Sequence, residues 1–182
     1  GLILTPIGAY AEARGSVLDA QGRLVVAGYS YGDGSYDFAL ARHNTDGSLD
    51  TTFGGDGRVV TDFTGQQGYD IGLSVALDSS GRIIVAGYSY NYSDGASSNF
   101  ALARYNTDGS LDQSFGDHGR VITNSSYDVA YNVTIGADGR IYAVGTSGGQ
   151  FALAIYNDDG SLYSSESSLQ TTGSIDFTDA DL

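Results

Sequence analysis

Hydrophobic and small residues alternate along this chain with a period of two, and the alternation recurs. In Phe38-Ala39-Leu40-Ala41-Arg42 the bulky Phe38, Leu40 and Arg42 fall on one side and Ala39 and Ala41 on the other; the pattern returns at Phe100–Arg104 and at Phe151–Ile155. A period of two predicts strands. One bulky face and one small face predict sheets stacked so that the bulky face of one fills the space left by the alanine face of the next. The runs Leu24-Val25-Val26 and Ile83-Ile84-Val85 are apolar on both faces, as a strand covered on both sides requires. Gly22 and Gly81 fall where a tight hairpin needs positive φ, and Asp46-Gly47, Asp108-Gly109 and Asp159-Gly160 are turn signals of the same sort.

These landmarks recur in one order three times. Gly57-Arg58-Val59-Val60-Thr61 returns as Gly119-Arg120-Val121-Ile122-Thr123, and in weaker form opens the chain as Gly1-Leu2-Ile3-Leu4-Thr5. Asp19-Ala20-Gln21-Gly22-Arg23 returns as Asp78-Ser79-Ser80-Gly81-Arg82 and, shifted, as Ala137-Asp138-Gly139-Arg140. Val25-Val26-Ala27-Gly28-Tyr29-Ser30 is matched by Ile84–Ser89 and Tyr142–Ser147. The spacing of 51 to 62 residues lies in the range of propeller blades. One unit reads as strands around Ser74-Leu77, Arg82-Tyr88, Phe100-Asn106 and Gly119-Thr123, four antiparallel strands that make a blade. The expected fold is all-β: about three four-stranded antiparallel propeller repeats in an incomplete ring, or in one completed by oligomerisation, since closed propellers use about four to eight blades. The repeat frame is 1–56, 57–118 and 119–172, with 173–182 as a closing strand or the start of a next module.

The motifs Asp-Gly-Arg, Val-Ala-Gly, Phe-Ala-Leu-Ala-Arg, Asp-Gly-Ser-Leu-Asp, Phe-Gly and Gly-Arg-Val resemble the delta-sixty repeats of bacterial extracellular β-propellers over residues 1–163. The third copy departs most: Ile155 replaces the repeat arginine, Tyr163 replaces the aspartate of Asp50 and Asp112, and the Phe-Gly step is missing, the marks of an end blade. The tail Gly173-Ser174-Ile175-Asp176-Phe177-Thr178-Asp179-Ala180-Asp181-Leu182 is similar to the opening strand of VCBS-type repeats of secreted adhesins. It equally fits a last propeller strand in the Gly-Arg-Val position.

Composition narrows the classes of function. The 182 residues carry a net charge of −14, from 20 aspartates and two glutamates against eight arginines and no lysine. That excludes a nucleic-acid binder working by phosphate neutralisation and opposes an anionic membrane surface. With no cysteine there is neither a disulfide framework nor a thiolate metal site. Aliphatic runs of four or five residues fall far short of the roughly 20 of a membrane helix, and the amino end lacks the regions of a signal peptide, so a soluble mature piece or excised fragment without membrane insertion is expected.

The expected ligand end of the ring carries Tyr29, Tyr31, Asp33 and Tyr36 from the first unit, and Tyr88, Tyr90, Tyr92, Asp94 and Asn99 from the second. Tyrosine offers a flat apolar face and a hydroxyl, and the neighbouring Asp and Asn supply acceptors and donors, a chemistry suited to sugars or peptide ends. Tyr31, Asp33, Tyr36, Tyr90, Tyr92, Asp94 and Asn99 are therefore the candidate binding residues, against the plain reading that they form solvated hairpin tips. Loops leading into the first strands carry Tyr69-Asp70-Ile71 and Tyr127-Asp128-Val129. Asp70 and Asp128 either converge near the channel mouth to hold a hard cation such as Ca²⁺ or cap their own loop amides. Asn44–Asp50 lacks the spacing and terminal glutamate of an EF-hand and reads as an Asp-Gly turn. His43 and His118 stand at non-equivalent positions, without a serine elbow, and no carboxylate pair is singled out for glycoside hydrolysis.

The expectation is a non-catalytic binding or interaction module of a secreted or cell-surface adhesin-like repeat protein, with a glycan or peptide ligand. The alternatives are a structural subunit of an extracellular filament or layer that recognises copies of itself, and a calcium-dependent propeller hydrolase of the lactonase kind. The extracellular setting is what the resemblance implies.

Overall fold

The computed structural model describes residues 1–65, 68–92, 97–123 and 127–164. Their strands pair antiparallel into three sheets. The first holds β1 (Tyr10–Leu18), β2 (Leu24–Gly32), β3 (Ser35–His43) and β4 (Arg58–Thr61) in that order; the second holds β5 (Gly68–Leu77), β6 (Ile83–Asn91), β7 (Ser97–Tyr105) and β8 (Arg120–Thr123). The third has β9 (Val129–Ile135), β10 (Ile141–Ser147) and β11 (Gln150–Tyr156), three strands among the described residues where four were expected. The candidate closing strand 173–182 lies outside the described residues. Hydrogen bonding groups residues 10–61, 68–123 and 129–156, so the Gly57 and Gly119 blocks end the sheet before them rather than begin a new one. Among the described residues, no helix is long and apolar enough to cross a membrane.

Local chemistry sets the hairpins. Asp19 Oδ1 accepts the Gln21 and Arg23 amides, both at 2.9 Å, and Asp78 Oδ1 accepts those of Ser80 and Arg82 at 2.8 and 2.9 Å. Gly22 and Gly81 then take φ of 75° and 78°, the left-handed turn expected at each. Asp46 caps Ser48 in the same manner, so Asn44–Asp50 is the plain turn. The first strand of the second sheet is longer than the pattern predicts, because Tyr69-Asp70-Ile71 pairs with Tyr90-Ser89-Tyr88 as strand rather than loop. A bulge between Gly72 and Ser74 shifts the alternation there and hides the continuity. The bulge also explains the glycine of Val-Ala-Gly: a Cβ on Gly28, Gly87 or Gly145 would stand 1.9, 1.9 or 1.8 Å from a carbonyl oxygen of the adjacent inner strand.

The sheets stack as the alternation predicts. Phe38, Leu40, Val25 and Ala27 of the first sheet pack with Ala101, Ala103, Ile83 and Val85 of the second. Phe100, Leu102 and Ile84 of the second pack in turn with Ala143 and Ile141 of the third, flanked by Ala152 and Ala154. A polar latch reinforces each junction. The buried Arg42 donates from Nε to Asp50 Oδ2 at 2.8 Å, lies 4.6 Å over the Phe53 ring, and reaches the Thr107 carbonyl of the next repeat. Arg104 repeats this with Asp112 at 2.8 Å, Phe115 at 4.6 Å and the Asp158 carbonyl. Gly54 and Gly116 complete the latches by donating to the Asp108 and Asp159 carbonyls, both at 2.8 Å. The repeat arginines thus pair with turn aspartates.

Candidate functional site: a tyrosine cleft over an acidic cluster

Strand alternation places Tyr29 and Tyr31 on one face of β2, and the β2–β3 register sets Tyr36 opposite Tyr31. The Tyr31 and Tyr36 ring centroids lie 5.0 Å apart, and Tyr29 meets Tyr36 edge-on at 5.7 Å. On the second sheet, register sets Tyr69 opposite Tyr90, and their rings stack at 4.8 Å with only 9° between planes. Tyr92 stands edge-on to both, at 6.1 and 5.3 Å. Between the two groups opens a hollow of 430 Å³ whose walls are Tyr29, Tyr31 and Tyr36 on one side and Tyr69, Tyr88 and Tyr92 on the other.

The cleft is aromatic and hydroxyl-rich with little unbalanced charge. At its edge Glu12 accepts hydrogen bonds from the Tyr29 and Tyr10 hydroxyls and pairs with Arg14 at 3.0 Å. The Tyr29 hydroxyl is the main cause of a Glu12 pKa held below the ordinary carboxylate value. Burial raises the Tyr69 and Tyr88 phenols, so both remain neutral donors at physiological pH.

Of the residues singled out in the sequence, Tyr31, Tyr36 and Tyr92 line the hollow. Tyr90 acts from behind, stacked on Tyr69. Asp33 sits in the β2–β3 turn with φ of 50°, and Asn99 is buried in β7. Asp94 lies outside the described residues. Tyr69 is the wall residue the sequence reading placed elsewhere, in a leading loop beside a metal candidate. Its signal was the Tyr-Asp-Ile alternation itself, which continues the strand.

Asp70 is fully buried, and it gathers with Asp37 of β3 and Asp62 after β4, one carboxylate oxygen from each within 4.8 Å of the others. Asp70 Oδ2 accepts the Phe63 amide at 2.7 Å, while Oδ1 is buried without a hydrogen bond. Burial pushes the Asp70 pKa up to about 6, with the Ser89 hydroxyl and the Phe63 amide pulling the other way. Burial also raises Asp37, which accepts the Ser35 hydroxyl. Three carboxylates from two sheets form an all-oxygen donor set of the kind that suits a hard cation. Asp128 is not in this group. It holds the equivalent place before the third sheet, buried with an unpartnered Oδ1, but Asn99 stands there where Asp37 stands in the first repeat. The histidines bear on neither feature: His43 bonds Thr5 and the Gly47 carbonyl, and the exposed His118 bonds Asp117.

Residues 21–53 and 79–115 match a family described as a domain of unknown function (DUF5122) beta-propeller. The two matched stretches are the cores of the first two repeats. No curated protein sequence matches the chain. Among solved structures, a gluconolactonase from Xanthomonas campestris aligns at 15% identity and a TM-score of 0.31, over 82% of this chain and 60% of that one. The chain thus spans less than two thirds of that enzyme, and a likeness this distant carries no conclusion about activity.

Proposed function

We propose that this propeller segment is a non-catalytic module that binds a neutral oligosaccharide in the tyrosine cleft, as part of a secreted or cell-surface adhesin-like protein. The observation that carries the proposal is the convergence of six tyrosines from two sheets on one hollow of 430 Å³. A pyranose ring presents C–H faces that stack on phenol rings and an equatorial rim of hydroxyls that exchange hydrogen bonds with phenol oxygens. A net charge of −14 favours an uncharged ligand over an acidic peptide.

Titration calorimetry with neutral oligosaccharides tests this. Tyr36→Ala and Tyr92→Ala should each weaken binding about fivefold, the loss of roughly 1 kcal/mol of stacking, with the melting temperature close to that of the parent. Unchanged binding in both variants, or binding of basic peptides alone, overturns the reading. The Ca²⁺ role is assigned in the same proposal to Asp37, Asp62 and Asp70, with the unpartnered Asp70 oxygen in support. Millimolar Ca²⁺ should then raise the melting temperature at pH 7.5 and do so less at pH 5, where Asp70 is protonated; an absence of any shift at either pH removes the cation.

A further inference from the structure

The two ends of the stack are unlike, and each has the feature the other lacks. The third sheet leaves its bulky face open, with Phe151 80% and Leu153 48% exposed, although their counterparts Phe38, Leu40, Phe100 and Leu102 are all buried against a following sheet. The first sheet has no sheet before it on its Ala39 and Ala41 face. There a hollow of 650 Å³ is lined by Ala39, Ala41, Leu24, Val26 and the amino-terminal Ile3 and Leu4. The described residues therefore contain one junction type twice and, at the two ends of the stack, the two separated halves of a third.

The amino-terminal segment sharpens this. In the two internal junctions a Gly-x-x-x-Thr segment serves as the fourth strand of one sheet and bonds the next. Thr61 Oγ accepts the Tyr105 hydroxyl at 2.7 Å, and the Thr123 and Tyr156 hydroxyls share a bond of the same length. Thr5 makes the equivalent contact, 3.2 Å from His43 Nε2, and His43 occupies the position of Tyr105 and Tyr156 in its repeat. Ile3 rests on Gly47 as Val121 rests on Gly160: a Cβ added to either glycine would meet that side chain at 2.5 or 2.8 Å. Residues 1–5 thus already lie where the last strand of a preceding sheet would lie, with Leu2 and Leu4 exposed. The third sheet, meanwhile, shows β11 at its edge with no fourth strand among the described residues.

We infer that Leu2–Thr5 of one copy adds as the fourth strand to the three-stranded sheet of a second copy, seating the Phe151 and Leu153 face of that copy on the Ala39 and Ala41 face of the first. The internal junctions fix the register. Phe38, Ala39, Leu40 and Ala41 face Thr61, Val60, Val59 and Arg58, and Phe100–Ala103 face Thr123–Arg120 likewise. Phe151, Ala152, Leu153 and Ala154 therefore face Thr5, Leu4, Ile3 and Leu2 of the partner copy. Made reciprocally, the contact joins two three-sheet stacks into one ring of six, within the range of closed propellers. Ile155 in place of the repeat arginine and the missing Phe-Gly step leave this junction without the polar latch, so it is weaker than the internal ones and depends on concentration.

The absence of native cysteine gives a direct test. Leu4→Cys and Ala152→Cys are made as separate variants, mixed and oxidised. The expected result is a disulfide-linked pair that forms in the mixture and in neither variant alone. Light scattering on the parent 182-residue chain should give twice the mass of one chain, falling to a single chain on dilution or in Leu153→Asp. Leu153→Asp should leave oligosaccharide binding by the tyrosine cleft intact and, at dilutions where the parent is a single chain, melt at the parent's temperature, which separates this proposal from the cleft. A single-chain mass at every concentration, with no cross-link in the mixture, overturns it and points to closure of the third sheet by residues 165–182 of the same chain.

Discussion

Asp70 shows how one buried side chain couples this fold to pH. Its folded pKa of about 6 lies above the ordinary 3.8, so between those values the folded state holds the proton more tightly than the unfolded one. The associated stability is fully present below about pH 4 and is lost as pH rises through 6, a penalty at neutral pH of up to roughly 3 kcal/mol. Asp70→Asn keeps an acceptor for the Phe63 amide and removes the charge. It should raise the melting temperature at pH 7.5, change it little at pH 4, and flatten the slope between; an unchanged slope would place the titration elsewhere. Asp50 acts in the opposite sense. The Thr52 hydroxyl, its amide and the Arg42 guanidinium hold Asp50 down to about 2, so its contribution is present above pH 4 and lost as pH falls through 2. The sequence made Asp70 conspicuous but misplaced its partners. Reading Tyr69-Asp70-Ile71 as loop sent Asp70 towards Asp128, whereas pairing in β5 brings it to Asp37 and Asp62, neighbours in space that no local spacing reveals.

At the scale of the element, the alternation was legible and its interruptions were not. Bulky-and-alanine strands stack as their sequence predicts because side-chain direction in a strand follows from position alone. The inner-strand bulges at Arg14, Leu73 and Tyr131 break that correspondence, and with it the expected start of β5. They also make the Val-Ala-Gly glycine irreplaceable. Gly87→Ala would drive a Cβ into the Ile71 carbonyl, a backbone clash that neighbouring side chains cannot relieve, and should destabilise the protein by roughly 3 kcal/mol in urea unfolding. Gly34→Ala, with open space around its Cβ, should cost only the strain of its positive φ. The latch offers a second check at this scale. Phe115→Ala leaves Arg104 without its aromatic platform and opens a cavity against the turn at Gly160, and should cost roughly 3–5 kcal/mol by the same measurement. A cost under 1 kcal/mol would show that the latch does not hold the second junction.

At the scale of the whole molecule, function and architecture occupy different places in the stack. The tyrosine cleft spans the first and second sheets, both with four strands, and is complete within one copy. The end faces and the amino-terminal segment are the surfaces we propose for assembly. This division was only partly visible in the sequence: three repeats announced a ring with too few blades, but the pairing of Thr5 with His43, which shows where residues 1–5 belong, required the fold. Binding in the cleft can be followed by two-dimensional amide NMR of the isotopically labelled chain, because every backbone position reports at once. On titration with a neutral oligosaccharide, shifts should concentrate at Tyr29, Tyr31, Tyr36, Tyr69, Tyr88 and Tyr92, with quiet amides at the ends of the stack. Shifts centred away from those six tyrosines, or none at millimolar sugar across a panel of neutral glycans, would contradict it.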